Sequence, residues 1–492
     1  MSSELQAVEN KLGVEENGIN VIPESERKGK PHELFWPWAA ANISVFGISF
    51  AAFVFGFGIS FWQAVLASLI GIIFSFLLVG FVSLAGKRAS APTMVISRAA
   101  FGIRGNAFPT AVSYLLLVGW EIVLVALATL ATATIFDRLG WASGNGVKVI
   151  AFLVIAGIVV FTGVVGFDLL MRMQTWITLI SLALTVLYIA FTLDAVHWDV
   201  ITSAPSGTWQ AFVGAVIFAM TGFGIGWVNC GADYSRYLPR NSSGRGIVGW
   251  TVFGASISPV ILILYGLLLV ASDPNLATAI GTDPIGALAS ILPTSALILL
   301  PFLIVVSLGF IGGAVLDIYS SGLALLTLGL RIPRAAAALV DGVLMILGTI
   351  YVVWIADSFF GPFQGFLYLL GVPMSAWVGA FVADMALRRK DYRDADLYDV
   401  GGSYGAFGWP AFLSMVVGTF VGWGLVVSFF DEPWLTWQGY ILNWLGVTDS
   451  SPWYYANLGI LAALAIGFLG ELIFGRMRIN REEALDSTPV SA

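Results

Sequence analysis

Residues 221–227 read Thr-Gly-Phe-Gly-Ile-Gly-Trp, three alternating glycines inside a window otherwise apolar enough to cross a bilayer. A glycine costs a helix roughly 1 kcal/mol relative to alanine, so three within five residues predict an interruption in mid-span. A matching stretch lies five spans earlier, where Asn42, Ser44, Gly47, Ser49, Gly56 and Gly58 interrupt residues 35–61. Interrupted helices at corresponding places in two halves of a membrane chain point to an inverted repeat with its binding site at the breaks. Close helix packing through small residues is the competing explanation for any single glycine. From sequence both stay open.

The composition sets the solvent. The chain has 492 residues, 58% of them hydrophobic and 11% charged, with a mean hydropathy of +0.89, which excludes a soluble globular protein. The net charge of -7 is not a nucleic-acid signal, because the basic residues are spread through short loops without forming a patch. The single cysteine, Cys230, excludes intrachain disulfides and a cysteine-built metal site, and His32 and His197 fall in polar flanks, so neither a metal nor a cofactor is expected. An intramembrane enzyme would need a nucleophile, metal ligands or a cofactor motif, and no such constellation is present. Residues 1–34 are polar and of mixed charge, without the apolar core of a signal peptide, and are expected to be a tail.

Windows of roughly 20 apolar residues fall at about 35–61, 62–85, 107–135, 146–166, 172–193, 208–230, 246–271, 294–328, 334–355, 363–386, 406–430 and 452–475. They predict an all-α integral membrane protein of twelve spans. The joint between spans 1 and 2, at Gly56 to Trp62, is tight. With both termini cytoplasmic, all of the 23 Lys and Arg residues except Arg138 and Lys148 fall on the inner side, from Lys11 to Arg481, as the positive-inside rule requires. The outer loops carry acids and aromatics instead: Asp194, Asp199, Asp273, Asp283, Asp431, Glu432, Trp434 and Trp437.

Two spans hold a lone carboxylate at mid-depth. Glu121 follows Trp120 in span 3, and Asp317 follows Gly312, Gly313 and Ala314 in span 8. Such a group costs several kcal/mol in the bilayer and persists where it faces a cavity, a partner or a translocated solute. An ionised carboxylate accepts from N–H groups, and a protonated one also donates, so either acid suits proton exchange or a ligand rich in N–H. A structural hydrogen bond to a neighbouring helix is the alternative. Asp233, Asp384 and Glu471 lie near the inner face within reach of water or arginine, and Asp341, about two turns inside span 9, suits packing or gating. Trp120, Phe223 and Trp227 sit beside the polar groups on interrupted or acid-bearing helices, where a planar ring could stack between two of them.

Several motifs together resemble the purine-cytosine permeases of the nucleobase:cation symporter family. They are ENGINVIPESERKGKPHELFWPWAAANISV entering span 1, APTMVISRAAFGIRGN after span 2, GWVNCGADYSRYLPR ending span 6 and LDIYSSGL in span 8. The resemblance covers about residues 17–400. It implies a five-plus-five inverted-repeat fold of the leucine-transporter type, with spans 1–5 (35–193) and 6–10 (208–386) as the repeats. Two further helices (406–475) and a C-terminal tail (476–492) complete it. By position it implies substrate-stacking roles for Trp120 and Trp227 and a substrate contact at Asp317, beside Gly313. Gly47, Ser49, Phe223 and Gly224 of the interrupted spans, and Glu121, which has no counterpart in the family, complete the expected site.

The chain also departs from the family pattern. Asp317 and Gly313 stand where many members have asparagine, and Leu124 where they place an amide. Sodium-linked members carry hydroxyl residues at the positions of Ile311 and Gly312. A hard cation needs oxygen ligands, so the expected coupling ion is a proton carried by Asp317 or Glu121. The expectation is proton-coupled uptake of a nucleobase by alternating access. Another planar N-heterocycle, such as a vitamin-like ring or a hydantoin, is the alternative substrate, and sodium the alternative coupling ion.

Overall fold

The computed structural model describes residues 13–201, 204–356, 360–428 and 433–485. Lys11, Asp431 and Glu432 lie outside the described residues. With no water in the bilayer core, each backbone polar group has to be satisfied within its own segment, and among the described residues regular structure is entirely helical. Among the described residues nine helices are long and apolar enough to cross a membrane. Two more spans are pairs of helices bent at a break, and the shorter apolar helix Trp409–Gly424 brings the number to twelve.

Span 1 is Pro31–Asn42 and Phe46–Phe55, bent by 68°. Ile43, at φ -87 and ψ 65, ends the first half, and the Phe46 amide turns back onto the Ser44 hydroxyl at 3.3 Å to start the second. The tight joint to span 2 is made by Gly58, at φ +70, and by a reciprocal cap. The Ser60 amide donates to Gln63 Oε1 at 3.0 Å and the Gln63 amide to Ser60 Oγ at 3.4 Å. Span 2 is Phe61–Ala89, span 3 Ala107–Arg138, span 4 Asn145–Val165 and span 5 Phe167–Ala195. Span 6 is α-helical over Trp209–Gly222, passes Phe223 at φ -115 and ψ -93, and continues as a 3-10 helix over Gly224–Cys230. Both predicted interruptions are therefore present.

Span 7 is Gly244–Ser272, span 8 Ala296–Thr327, span 9 Arg334–Trp354 and span 10 Phe360–Leu387. Between spans 7 and 8 two Asp-Pro pairs start the short helices Pro274–Thr282 and Pro284–Ser290. Asp273 caps the Asn275 amide at 2.8 Å and Asp283 the Gly286 amide at 3.0 Å, while each proline occupies a first-turn position that needs no donor. Span 11 is Trp409–Gly424, and span 12 is Gly459–Phe474 bent by 49° into Arg476–Ala484. Span 12 starts later than the apolar window at 452, because Asn457 adopts a left-handed φ of 51° and its Oδ1 accepts from the Val427 amide at 2.7 Å.

The N-terminal stretch is no free tail in its described part. Ile22 is fully buried, and Glu15 is held at the arginine-rich end of the bundle. Its Oε1 accepts from Arg236 Nη2 at 2.8 Å, Tyr237 Oη at 2.6 Å and Tyr319 Oη at 3.0 Å. Its Oε2 accepts from the Phe167 amide at 2.9 Å. Glu15 thus ties together the ends of spans 5, 6 and 8. At the same end Asp384 pairs with Arg388 at 2.7 Å, and Arg478 bridges Asp384 at 2.9 Å and Glu471 at 3.1 Å, joining spans 10 and 12. Asp233 accepts from the Thr93 amide at 2.7 Å and its hydroxyl at 2.8 Å, which fastens the loop after span 2 to the end of span 6.

Candidate functional site

Spans 1 and 6 bring their breaks together around a central cavity of about 70 Å³. The span 1 break contributes Asn42 and Ser44 and, from the half-helix beyond it, Phe46, Gly47 and Phe50. The span 6 break contributes Gly222, Phe223 and Trp227, with Trp120 and Leu124 coming from span 3 and Gly309 and Phe310 from span 8. Asn42 and Ser44 are its only polar side chains among the described residues, and both lie on the span 1 break.

The aromatic walls are fixed by packing. Trp120 stands edge-to-face with Phe363, ring centroids 5.4 Å apart, and Trp227 with Trp38 at 5.9 Å, the geometry the ring quadrupoles prefer. Span 6 needs its glycines for these approaches. A Cβ on Gly222 would stand 2.5 Å from the Phe50 ring, one on Gly224 2.5 Å from Ser75, and one on Gly226 3.0 Å from Trp120 Nε1. The glycine run therefore serves both readings, a break and a set of close contacts. Trp120 Nε1 is buried beside Gly226, without a hydrogen-bond partner.

A second cavity of about 620 Å³ lies toward the opposite end from Glu15, among Phe53, Phe57, Phe218, Tyr455 and Asp449. Phe50 separates the two, with its ring 4.8 Å from Phe223 and 5.8 Å from Phe218. At the arginine-rich end the path is shut by Tyr234, which donates to the Leu316 carbonyl at 2.9 Å, and by the contacts of Glu15.

Four of the nine residues expected at the site line the central cavity: Gly47, Trp120, Phe223 and Trp227. The other five do not. Consecutive helical residues point about 100° apart, so with Trp120 on the cavity Glu121 faces the next helices. It is fully buried, and its Oε1 accepts from Ser321 Oγ at 2.6 Å. The same hydroxyl stands 3.2 Å from Asp341 Oδ2, and Tyr114 Oη donates to Asp341 Oδ1 at 2.6 Å. Asp317, one turn before Ser321, is buried with neither oxygen hydrogen-bonded. A Cβ on Gly313 would meet Leu124 Cδ1 at 2.8 Å, the Gly224 amide donates to Ser75 Oγ at 3.2 Å, and Ser49 is buried with its hydroxyl unpartnered.

Reading the sequence missed Phe46, Phe50 and Phe310 as cavity walls and treated Asn42 and Ser44 only as interruptions. The i, i+4 spacing of Phe46 and Phe50, just past the break, was a usable signal. It missed Tyr114 and Ser321 as well. Tyr114 stands two turns before Glu121 on the same helical face, and Ser321 one turn after Asp317.

Two crossing broken helices, an aromatic cavity at the breaks, a wider vestibule on one side and a closed path on the other define a secondary transporter of the five-plus-five inverted-repeat class. More narrowly, the chain belongs to the family of permeases for cytosine/purines, uracil, thiamine and allantoin, whose sequence profile matches residues 21–445. It is 24% identical over 421 residues to YxlA of Bacillus subtilis (strain 168), described as a purine-cytosine permease, covering 82% of this chain and 87% of that protein. It is 26% identical over 274 residues to the vitamin B6 transporter TPN1 of Saccharomyces cerevisiae, covering 52% of this chain and 45% of that one. Among solved structures it is similar to Mhp1, a nucleobase-cation-symport-1 family transporter, in a closed conformation with bromovinylhydantoin bound. The TM-score is 0.67 and the identity 19%, with 96% of this chain and 99% of that chain covered.

Proposed function

We propose that the protein imports a nucleobase of the cytosine or purine type in symport with a proton, by alternating access. The observation that carries the reading is the meeting of Trp120, Phe223 and Trp227 at the two helix breaks, because flat aromatic walls favour a flat solute by stacking. In this reading the repeats are residues 35–193 and 208–386, and spans 11 and 12 (406–475) stand outside them. The tails 1–34 and 476–492 are both cytoplasmic. The distribution of Lys and Arg supports that orientation; the vestibule then opens outward and Glu15 closes the inner side. Glu121, Asp317, Gly224, Gly313 and Ser49 act behind the cavity wall, with Glu121 or Asp317 holding the proton.

The meeting of spans 1 and 8 supports a proton over sodium. A Cβ on Gly312 would stand 2.8 Å from the Ala40 carbonyl, and one on Gly309 3.0 Å from that of Ile43. Neither glycine brings a side-chain oxygen there to join the backbone carbonyls in the oxygen shell that a bound hard cation needs. Gln174 Nε2 donates to the Gly312 carbonyl at 2.8 Å, using an acceptor that an ion would otherwise have. In proteoliposomes, replacing sodium with choline should leave initial uptake unchanged, and raising external pH should slow it. Strict sodium dependence overturns the assignment.

A second substrate reading is favoured by the sparse polarity of the cavity. With Asn42 and Ser44 on one side and hydrophobic walls elsewhere, a vitamin-like ring or a hydantoin that carries an apolar substituent can turn that substituent to the walls and its polar groups to the break, and so leaves fewer of its own groups unpaired. A thermal-shift screen of the purified protein against nucleobases and these rings separates the two. A true ligand at 100 times its Kd stabilises the folded state by about 2.7 kcal/mol.

A further inference from the structure

Behind the cavity wall, spans 3, 8 and 9 share a buried chain of hydrogen-bonding groups that stacking on the substrate does not use. It runs from Glu121 through Ser321 Oγ (2.6 Å) to Asp341 (3.2 Å) and from Asp341 to Tyr114 Oη (2.6 Å). Glu121 and Asp341 are fully buried, while Tyr114 is half-buried. Among the described residues no Arg, Lys or His pairs with Glu121, Asp317 or Asp341. Arg334 is committed to the Gly163 and Val164 carbonyls and to Glu15, and Arg98 to the Thr327 and Leu397 carbonyls.

The chain has a direction. Tyr114 lies seven residues from the start of span 3, Asp341 seven from the start of span 9 and Ser321 six from the end of span 8. At 1.5 Å per residue each is about 10 Å inside the arginine-rich end, and Glu121 is two turns deeper than Tyr114. Glu121 also keeps Oε2 buried and without a partner, a lone pair on which a proton can reside. One hydroxyl within reach of two carboxylates from different helices can accept from one while donating to the other.

We propose that Ser321 and Asp341 are relay residues that carry the coupled proton between Glu121 and the cytoplasmic end of the bundle, with Tyr114 as the residue that positions Asp341. The inference rests on the proton-coupled reading above. In the release step the Glu121 O–H bond breaks as its proton passes to Ser321 Oγ, and the Ser321 O–H bond breaks as its own proton passes to Asp341 Oδ2. Ser321 thus regains a hydroxyl, Glu121 is left as the carboxylate and Asp341 becomes the acid. Asp341 then yields the proton toward water at the end of the helix that carries Tyr114, whose hydroxyl fixes the Asp341 carboxyl in position. The other titratable groups facing this route are Tyr114 and Glu121 from span 3 and Asp317 from span 8. Span 4, which also packs on span 9, has no titratable residue between Lys148 and its end at Val165.

The test compares the parent with Asp341→Asn and Tyr114→Phe in proteoliposomes, using two readouts with the substrate found by the thermal-shift screen. One is exchange of labelled for unlabelled substrate without a pH gradient, and the other is net uptake driven by an imposed gradient. Asp341→Asn is expected to exchange at parental rates and to slow gradient-driven uptake by tenfold or more. Tyr114→Phe, which keeps the ring and removes only the hydroxyl, is expected to exchange normally and to shift the pH profile of net uptake. If Asp341→Asn does not fold, the Tyr114→Phe profile decides alone. A proton-driven parent with both variants at parental rates and profiles overturns the relay only. A parent that ignores the pH gradient overturns the coupling reading, and the relay falls with it.

Discussion

Glu121→Gln is expected to bind substrate within a few-fold of the parent and to lose accumulation against a gradient altogether. The carboxyl is one residue from Trp120 but faces away from the cavity, with its Oε1 2.6 Å from Ser321 Oγ. An amide of nearly the same shape can still accept that hydrogen bond through its oxygen, so the packing of spans 3 and 8 is retained. It cannot take up and release a proton across the physiological range. Without a proton on the carrier the substrate can equilibrate but cannot be driven uphill. Calorimetry for affinity and gradient-driven uptake for coupling separate the two effects. Accumulation at the parental level would remove Glu121 as carrier and leave it a structural hydrogen-bond acceptor.

The fold was legible because its signals are local. A span announces itself by about 20 apolar residues, and the breaks by Gly222, Gly224 and Gly226 and by Asn42 with Ser44. Which way a residue faces is a different matter. Trp120 and Glu121 were expected to share one site, yet neighbours on a helix point about 100° apart, and only packing decides which of them meets the cavity. The contacts of Glu15 were invisible for another reason. Arg236 and Tyr319 lie more than 200 residues away, so nothing in a polar N-terminal stretch announces that its acid is tied to them. Asp341 was read as a packing or gating group because its partners, Tyr114 and Ser321, are neutral residues on other helices.

Trp120→Ala is expected to weaken substrate binding by about 1 to 3 kcal/mol, the range for removing an aromatic surface from a stacked base, or roughly 5- to 150-fold in Kd. The substitution also removes packing, since Trp120 stands edge-to-face against Phe363 and Phe366, so thermal stability has to be followed together with affinity. Two further variants distinguish the causes. Trp120→Phe keeps a ring on the cavity and should recover much of the affinity lost by alanine. Gly226→Ala leaves Trp120 in the chain but sets a methyl 3.0 Å from its Nε1, closer than ordinary contact allows, and so should tilt the indole and weaken binding. If the stacked ring matters, affinity falls in both Trp120→Ala and Gly226→Ala while Trp120→Phe stays near the parent. If affinity holds in Trp120→Ala and only the melting temperature drops, the indole is a packing element, and the stacking surface has to be sought on Phe223 and Trp227.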